Sequence, residues 1–369
     1  MNDKIEKLDV ARGIAILLVF GYHSLLAIYP NFNILEYDSF FISANNNPNY
    51  ILLNLTPFGL GNLGVQLFLV ISGFLIHLGY LKAGSKLNIY KFYNKRFWRI
   101  YPPYFLALIF FSLTTSNYSS QDLISHLGLF HNLKHETFFK INPSFWSLAL
   151  EMQLYFIYPL YLFLHNKYGL TRSVLIVAII SVFSLGIGIV QGRGVPFFHS
   201  IFTQWVVWIL GAYFAERFYH NQRVFNGRPI VYVLLLMVLV LLRLTNVFDL
   251  LAKLLFSFYF VLVLDWYLHK NIKWNKLFGG IKIIGICSYS LYLFHQPFLP
   301  EVIFFFNQSN SDNIIVLTFS IVCAFFFFLF ISYISYKVIE LNSVKLGSRL
   351  YNYVTKRSKR VSKSEKLPI

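Results

Sequence analysis

Seven stretches of this chain run for 18 residues or more without an Asp, Glu, Lys or Arg: Gly13–Leu35, Ser39–Leu81, Ile100–Gln121, Ser173–Gly192, Gly194–Ala215, Ile283–Pro300 and Asn313–Tyr336. Runs of that length match the hydrocarbon thickness of a bilayer. Lipid offers no water to backbone N–H and C=O groups, so such segments must satisfy those groups internally, as helices. Charged residues make up only 13% of the chain and hydrophobic residues 57%, with 41 Phe and 25 Tyr. A soluble domain carries about 25% charged residues. The shorter apolar segments 145–165, 229–244 and 249–268 complete the pattern. The expected fold is all-α, a polytopic bundle of ten spans near 10–30, 58–80, 100–116, 145–165, 172–191, 198–218, 229–244, 249–268, 281–300 and 314–337.

The basic residues orient that bundle. With the N-terminus inside, 27 of the 32 Lys and Arg residues fall on the inner side, and only Lys134, Lys140, Arg193, Arg243 and Lys253 fall outside. That asymmetry in mostly short loops predicts cytoplasmic N- and C-termini. It also accounts for the net charge of +17 without a nucleic-acid partner, since the charge is spread over loops. The expected division is a membrane-embedded unit over 1–344 and a basic, disordered tail over 345–369 lying against anionic membrane lipid. No soluble domain is expected on the bundle. Asp3 and Glu6 dilute the start of the first segment and no small-residue cleavage site follows it, so it reads as a span rather than a cleaved signal. Cys287 and Cys323 both fall within spans, which argues against a disulfide framework or a cysteine metal cluster.

Polar residues at membrane depth are the candidates for function. Arg12 and His23 stand eleven residues apart, about 20° past three full turns, so they share one helical face, roughly 16 Å apart along the axis. Keeping both in lipid is costly and marks a site as readily as a snorkelling Arg and a hydrogen-bonded His. Arg96 and Arg99 lie at i and i+3 in KFYNKRFWRIYPPY, on one face at the cytoplasmic edge. Two forked guanidinium groups so placed suit a phosphate, or else an interfacial anchor beside Trp98 and Tyr101. Within GVQLFLVISGFLIHLGY, Ser72 and Gly73 suit close helix packing, Gln66 suits a structural hydrogen bond, and His77 lies close to the cytoplasmic end. Glu151, about 9 Å below Phe145, needs an interior partner. His295 precedes Pro297, which can open the helix and free carbonyls there.

Five of these segments, RGIAILLVFGYH, GVQLFLVISGFLI, RFWRIYP, FWSLALEMQLYFIYP and SYSLYLFHQP, occur in one chain and in this order. Together they closely resemble the acyltransferase 3 family of bacterial integral-membrane O-acyltransferases, over roughly residues 5 to 340. The resemblance implies ten spanning helices in the bacterial inner membrane and acetyl transfer from cytoplasmic acetyl-CoA to a sugar hydroxyl. The acceptor so implied is a surface or lipid-linked polysaccharide such as lipopolysaccharide O-antigen or exopolysaccharide. Many relatives continue into a hydrolase-like domain. Relatives also often show an acidic residue followed by proline near the end of the last span, where this chain has Glu340 followed by Leu341.

On this reading Arg96 and Arg99 hold the donor's phosphates, and Arg12 steers the pantetheine arm inward. His23 acts as general base on the acceptor hydroxyl, because an alcohol is a poor nucleophile without one. Glu151 or His295 orients His23 or binds the sugar, with Ser72 and Gln66 in support. No metal is required. Transfer of a longer or acidic acyl group such as succinyl is one alternative, and a glycan transporter or flippase is another.

Overall fold

In the computed structural model, residues 2–29, 56–192, 194–244, 249–271, 275–307 and 313–364 are described. Residues 32–55 of the expected outer loop, and Arg193, lie outside them. No strand occurs among the described residues. In chain order the main helices are α1 (Asn2–Ile28), α2 (Gly64–Lys82), α3 (Ile89–Thr114), α4 (Ser120–Leu127), α5 (Trp146–Val190), α6 (Ile201–Tyr219), α7 (Pro229–Leu244), α8 (Asp249–His269), α9 (Lys276–Ile286), α10 (Ser288–Phe294), α11 (Leu299–Phe306), α12 (Ile314–Ser335) and α13 (Leu341–Ser364), with a π-helical turn over Tyr336–Glu340.

Each of the ten segments expected to span contains helix among its described residues, and 281–300 is divided between α9, α10 and the start of α11. Five helices are long and apolar enough to cross a membrane, or six if the bent pair α9–α10 forms one span. The 45-residue α5 takes in two expected segments, broken at Gly169, whose φ of 78° is open to glycine at no steric cost. The third helix starts eleven residues before the expected span, because Asn88 caps it by accepting from the Lys91 amide at 2.8 Å. Residues 345–364 of the basic tail are helical as part of α13, which packs on α3. Lys345, Arg349 and Lys356 are spaced so that apolar residues such as Leu346, Leu350 and Tyr353 fill the turns between them, which gives an amphipathic helix.

Small residues set a close crossing between α2 and α6. A Cβ on Gly73 would stand 2.0 Å from the Trp208 carbonyl oxygen, and one on Gly211 would stand 2.1 Å from that of Val70. Backbones in direct contact gain dispersion where lipid supplies no hydrophobic drive. Gly211→Val is therefore expected to destabilise the bundle by at least about 1–3 kcal/mol, the usual cost of overpacking. A lowered thermal midpoint of the detergent-solubilised protein checks this, and an unchanged midpoint would mean that the crossing is loose.

Prolines inside helices release carbonyls, and side chains take them up. Pro102 cannot donate to Trp98, and the Ser343 hydroxyl donates to the Trp98 carbonyl at 2.6 Å, fastening α13 to α3. Pro297 leaves the Leu293 carbonyl open, and the Asn142 side-chain amide donates to it at 2.9 Å. The segment 120–145 is thereby tied to α10. Its own start is closed by a capping box between Ser119 and Asp122. The rings of His126 and His131 stack within it, 3.9 Å apart at 5°. Burial holds both imidazoles below their ordinary range, so the stack is uncharged at neutral pH.

Candidate functional site

The bundle holds two separate hollows. The first, about 370 Å³, is lined by Arg12 of α1, Ser72 of α2, Arg96 and Arg99 of α3, Glu151 and Tyr155 of α5, and Tyr289 and Tyr292 of α10. The sequence placed Arg12, Ser72, Arg96, Arg99 and Glu151 in four separate segments, and the fold brings all five to one wall. Pro102 and Pro103 do not break α3, so Arg96 and Arg99 keep the shared face that their i, i+3 spacing dictates.

The carboxylate of Glu151 is held in place by its neighbours. The Ser72 hydroxyl donates to its Oε1 at 2.9 Å, and the Tyr155 hydroxyl donates to the same oxygen. The Trp208 indole N–H in turn donates to Ser72 Oγ at 3.3 Å. Arg96 lies over the Tyr155 ring, its guanidinium carbon 5.7 Å from the centroid. Its buried Nε has no hydrogen-bond partner among the described residues. Arg12 is 3.8 Å from Asp9. Glu340, in the π-helical turn, accepts from Ser290 at 2.8 Å and lies within electrostatic reach of Arg99 and Arg12. Three guanidinium groups, Arg12, Arg96 and Arg99, and one carboxylate, Glu151, thus line the cavity, with Asp9 and Glu340 close to the arginines outside its lining. With an unpaired buried donor among them, the cavity is matched to an anion.

The second hollow, about 700 Å³, is lined by His23, Thr115, Asn117, His135, Glu136, Lys140, Gln296 and Pro297 among others. Hydroxyl, amide, carboxylate and ammonium groups on its walls suit a polar, hydrogen-bonding guest. His23 opens here and not onto the arginines, although it shares a helical face with Arg12. Phe20, Phe68, Tyr292 and the ring of His295 stand between, with Phe20 5.9 Å and Tyr292 5.9 Å from the His295 ring and Phe68 6.4 Å from Tyr292.

The His23–His295 pair has a protonation pattern that its contacts dictate. His295 Nδ1 lies 2.9 Å from the Leu291 carbonyl and 3.1 Å from that of Tyr292. Carbonyl oxygens only accept, so Nδ1 carries the proton and Nε2 is an acceptor. His295 Nε2 is 2.7 Å from His23 Nδ1, which must then be the donor. The remaining nitrogen of His23, Nε2, is left with its lone pair. Helix α10 ends at the proline-opened turn, and this puts the His295 ring under its own last carbonyls.

Of the two residues expected to orient His23, the structure brings only His295 to it. Glu151 serves the arginine cavity instead. Gln66 is buried on α2 beside neither hollow, and its Oε1 has no partner among the described residues. Sequence reasoning missed Tyr155 and Tyr292. Tyr155 was findable, since it is i+4 from Glu151 on one helix.

The model of a family described as an acyltransferase domain matches residues 5–337. A curated relative, the "Regulator of hypoxia-inducible factor 1" of Caenorhabditis elegans, is 28% identical over 186 residues, 45% of this chain and 36% of that protein. The chain therefore spans about a third of the length of that relative. No solved structure matches the chain.

Proposed function

The chain belongs to the acyltransferase 3 family, whose model takes in residues 5–337, and from that premise we propose that it moves an acetyl group from cytoplasmic acetyl-CoA to a sugar hydroxyl of a cell-surface glycan. The observation that carries this reading is the pairing of an anion-matched cavity with an imidazole whose free lone pair faces a separate polar hollow. In this reading ten spans cross the bacterial inner membrane and both termini are cytoplasmic, so that the donor meets Arg96 and Arg99 first. The cavity of about 370 Å³ suits the thin pantetheine arm, and the nucleotide stays at the mouth.

The reaction follows from the lone pair on His23. Nε2 takes the proton of the acceptor hydroxyl as its oxygen attacks the thioester carbonyl. The C–O ester bond forms, the C–S bond breaks, and the departing thiolate of coenzyme A recovers the proton from the imidazolium. His295 accepts from Nδ1 throughout and so steadies the charge that His23 gains during the step. Glu151, fixed by Ser72 and Tyr155, keeps the guanidinium groups spread around the arm instead of repelling one another.

Incubating the purified protein with radiolabelled acetyl-CoA and a lipid-linked glycan tests the proposal: label should appear on the glycan in an alkali-labile ester. Label that never leaves coenzyme A would overturn it. Arg96→Lys and Arg99→Lys keep the charge but lose the fork. Each is expected to weaken acetyl-CoA binding by about 1.5–3 kcal/mol, the scale of a hydrogen bond to a charged group. Isothermal titration reads this directly, and wild-type affinity in both variants would reduce these arginines to membrane anchors.

A further inference from the structure

A second cluster of ionisable side chains lies apart from both hollows. His77 of α2, His165 of α5 and Glu216 of α6 converge, with one ligating atom from each lying within 4.8 Å of the others. His77 Nε2 and His165 Nε2 both stand 3.0 Å from the same carboxylate oxygen, Glu216 Oε1. His220, one turn after Glu216, reaches the other oxygen at 3.6 Å. The His77 side chain is fully buried and that of Glu216 nearly so.

We propose that His77, His165 and Glu216 form a metal site for a divalent ion of the zinc class. Zinc bonds to imidazole nitrogen and carboxylate oxygen at about 2.0–2.2 Å, which separates tetrahedral ligands by about 3.3 Å. The two observed separations of 3.0 Å need only a slight spread to admit the ion. Two imidazoles and one carboxylate disfavour calcium and magnesium, which prefer all-oxygen shells. The orientation of His77 also fits. Its Nδ1 is 3.0 Å from the Tyr158 hydroxyl, and such an outer partner fixes the ring with Nε2 presented to the ion. His220 or water completes the coordination.

The three ligands come from three different helices, each near one end: His77 is five residues from the end of α2, Glu216 is in the last turn of α6, and His165 is four residues before the break of α5 at Gly169. An ion here staples those ends together. It takes no part in the transfer chemistry, and the inference does not depend on the proposed acceptor or donor. From the sequence no metal is expected, and the proposed site departs from that expectation.

The test uses the full chain purified in detergent, equilibrated with zinc and desalted, with metal measured by plasma mass spectrometry. About one zinc per chain is expected, since metal energy is linked directly to folding. Occupancy should fall about tenfold or more in Glu216→Gln and in His165→Phe. Cobalt(II) added to the chelator-stripped wild type should give the visible absorption of a tetrahedral N/O site, and zinc should raise its thermal midpoint. Wild-type protein that neither retains zinc nor gives the cobalt band is a hydrogen-bonded triad only, and the proposal fails. Zinc retained undiminished in both variants places the ion elsewhere and also overturns it. If a variant does not elute as folded protein, the wild-type cobalt titration decides alone.

Discussion

His23→Ala is expected to lower acyl transfer by about 10²–10⁴, the usual contribution of a positioned general base. Acetyl-CoA binding should hardly change, because the arginines line a different hollow from the one His23 faces. Steady-state transfer rates alongside donor affinity measure both halves of that expectation. Transfer within a few-fold of wild type would make the imidazole structural. The substitution removes a ring that packs beside Tyr22 as well as His295, so folded yield is measured in parallel.

The neighbouring residue should matter nearly as much. His295→Phe keeps an aromatic body under the carbonyls of Leu291 and Tyr292 but removes the acceptor that fixes the His23 proton on Nδ1. Loss of the group that sets the tautomer costs about 10⁴ in serine proteases, and a fall of about 10² or more is expected here. His295→Gln offers a carbonyl oxygen to the same N–H and should recover part of the rate. A ring that only packs predicts the reverse order, with Phe active and Gln impaired. The pair of variants therefore separates positioning from filling, and the rate ratio between them is the decisive number.

Much of this arrangement could be read along the chain, because lipid permits so few solutions. Long uncharged runs marked the helices, and the Lys167–Arg172 interval marked the interruption of α5 where Gly169 takes its positive φ. The spacing of Arg96 and Arg99 gave their common face. The resemblance offered His295 as one of two partners for His23, but the contacts that join residues far apart in sequence could not be read from the residues themselves. His23 and His295 are separated by 272 positions, and nothing local to either says that one accepts from the other. Glu151 was correctly singled out as needing a partner, yet Ser72, which donates to it, looked like an ordinary packing residue beside Gly73. The basic composition of the last segment suggested a solvated tail. Its apolar residues recur at helical spacing, and the surface of α3 completes what composition alone does not show.

The wall of Phe20, Phe68, Tyr292 and His295 bears on the energetics of the membrane itself. A continuous passage wide enough for a pantetheine arm would leak protons and dissipate the gradient that powers the cell. By the proposed mechanism the acetyl group meets its acceptor at this aromatic partition, while the nucleotide of the donor stays on its own side. In the proposed reaction the spent thiol leaves by the face through which it came, and the ester departs by the opposite one. On that proposal the energy of the thioester drives the step, and export of the acetyl group requires no pump.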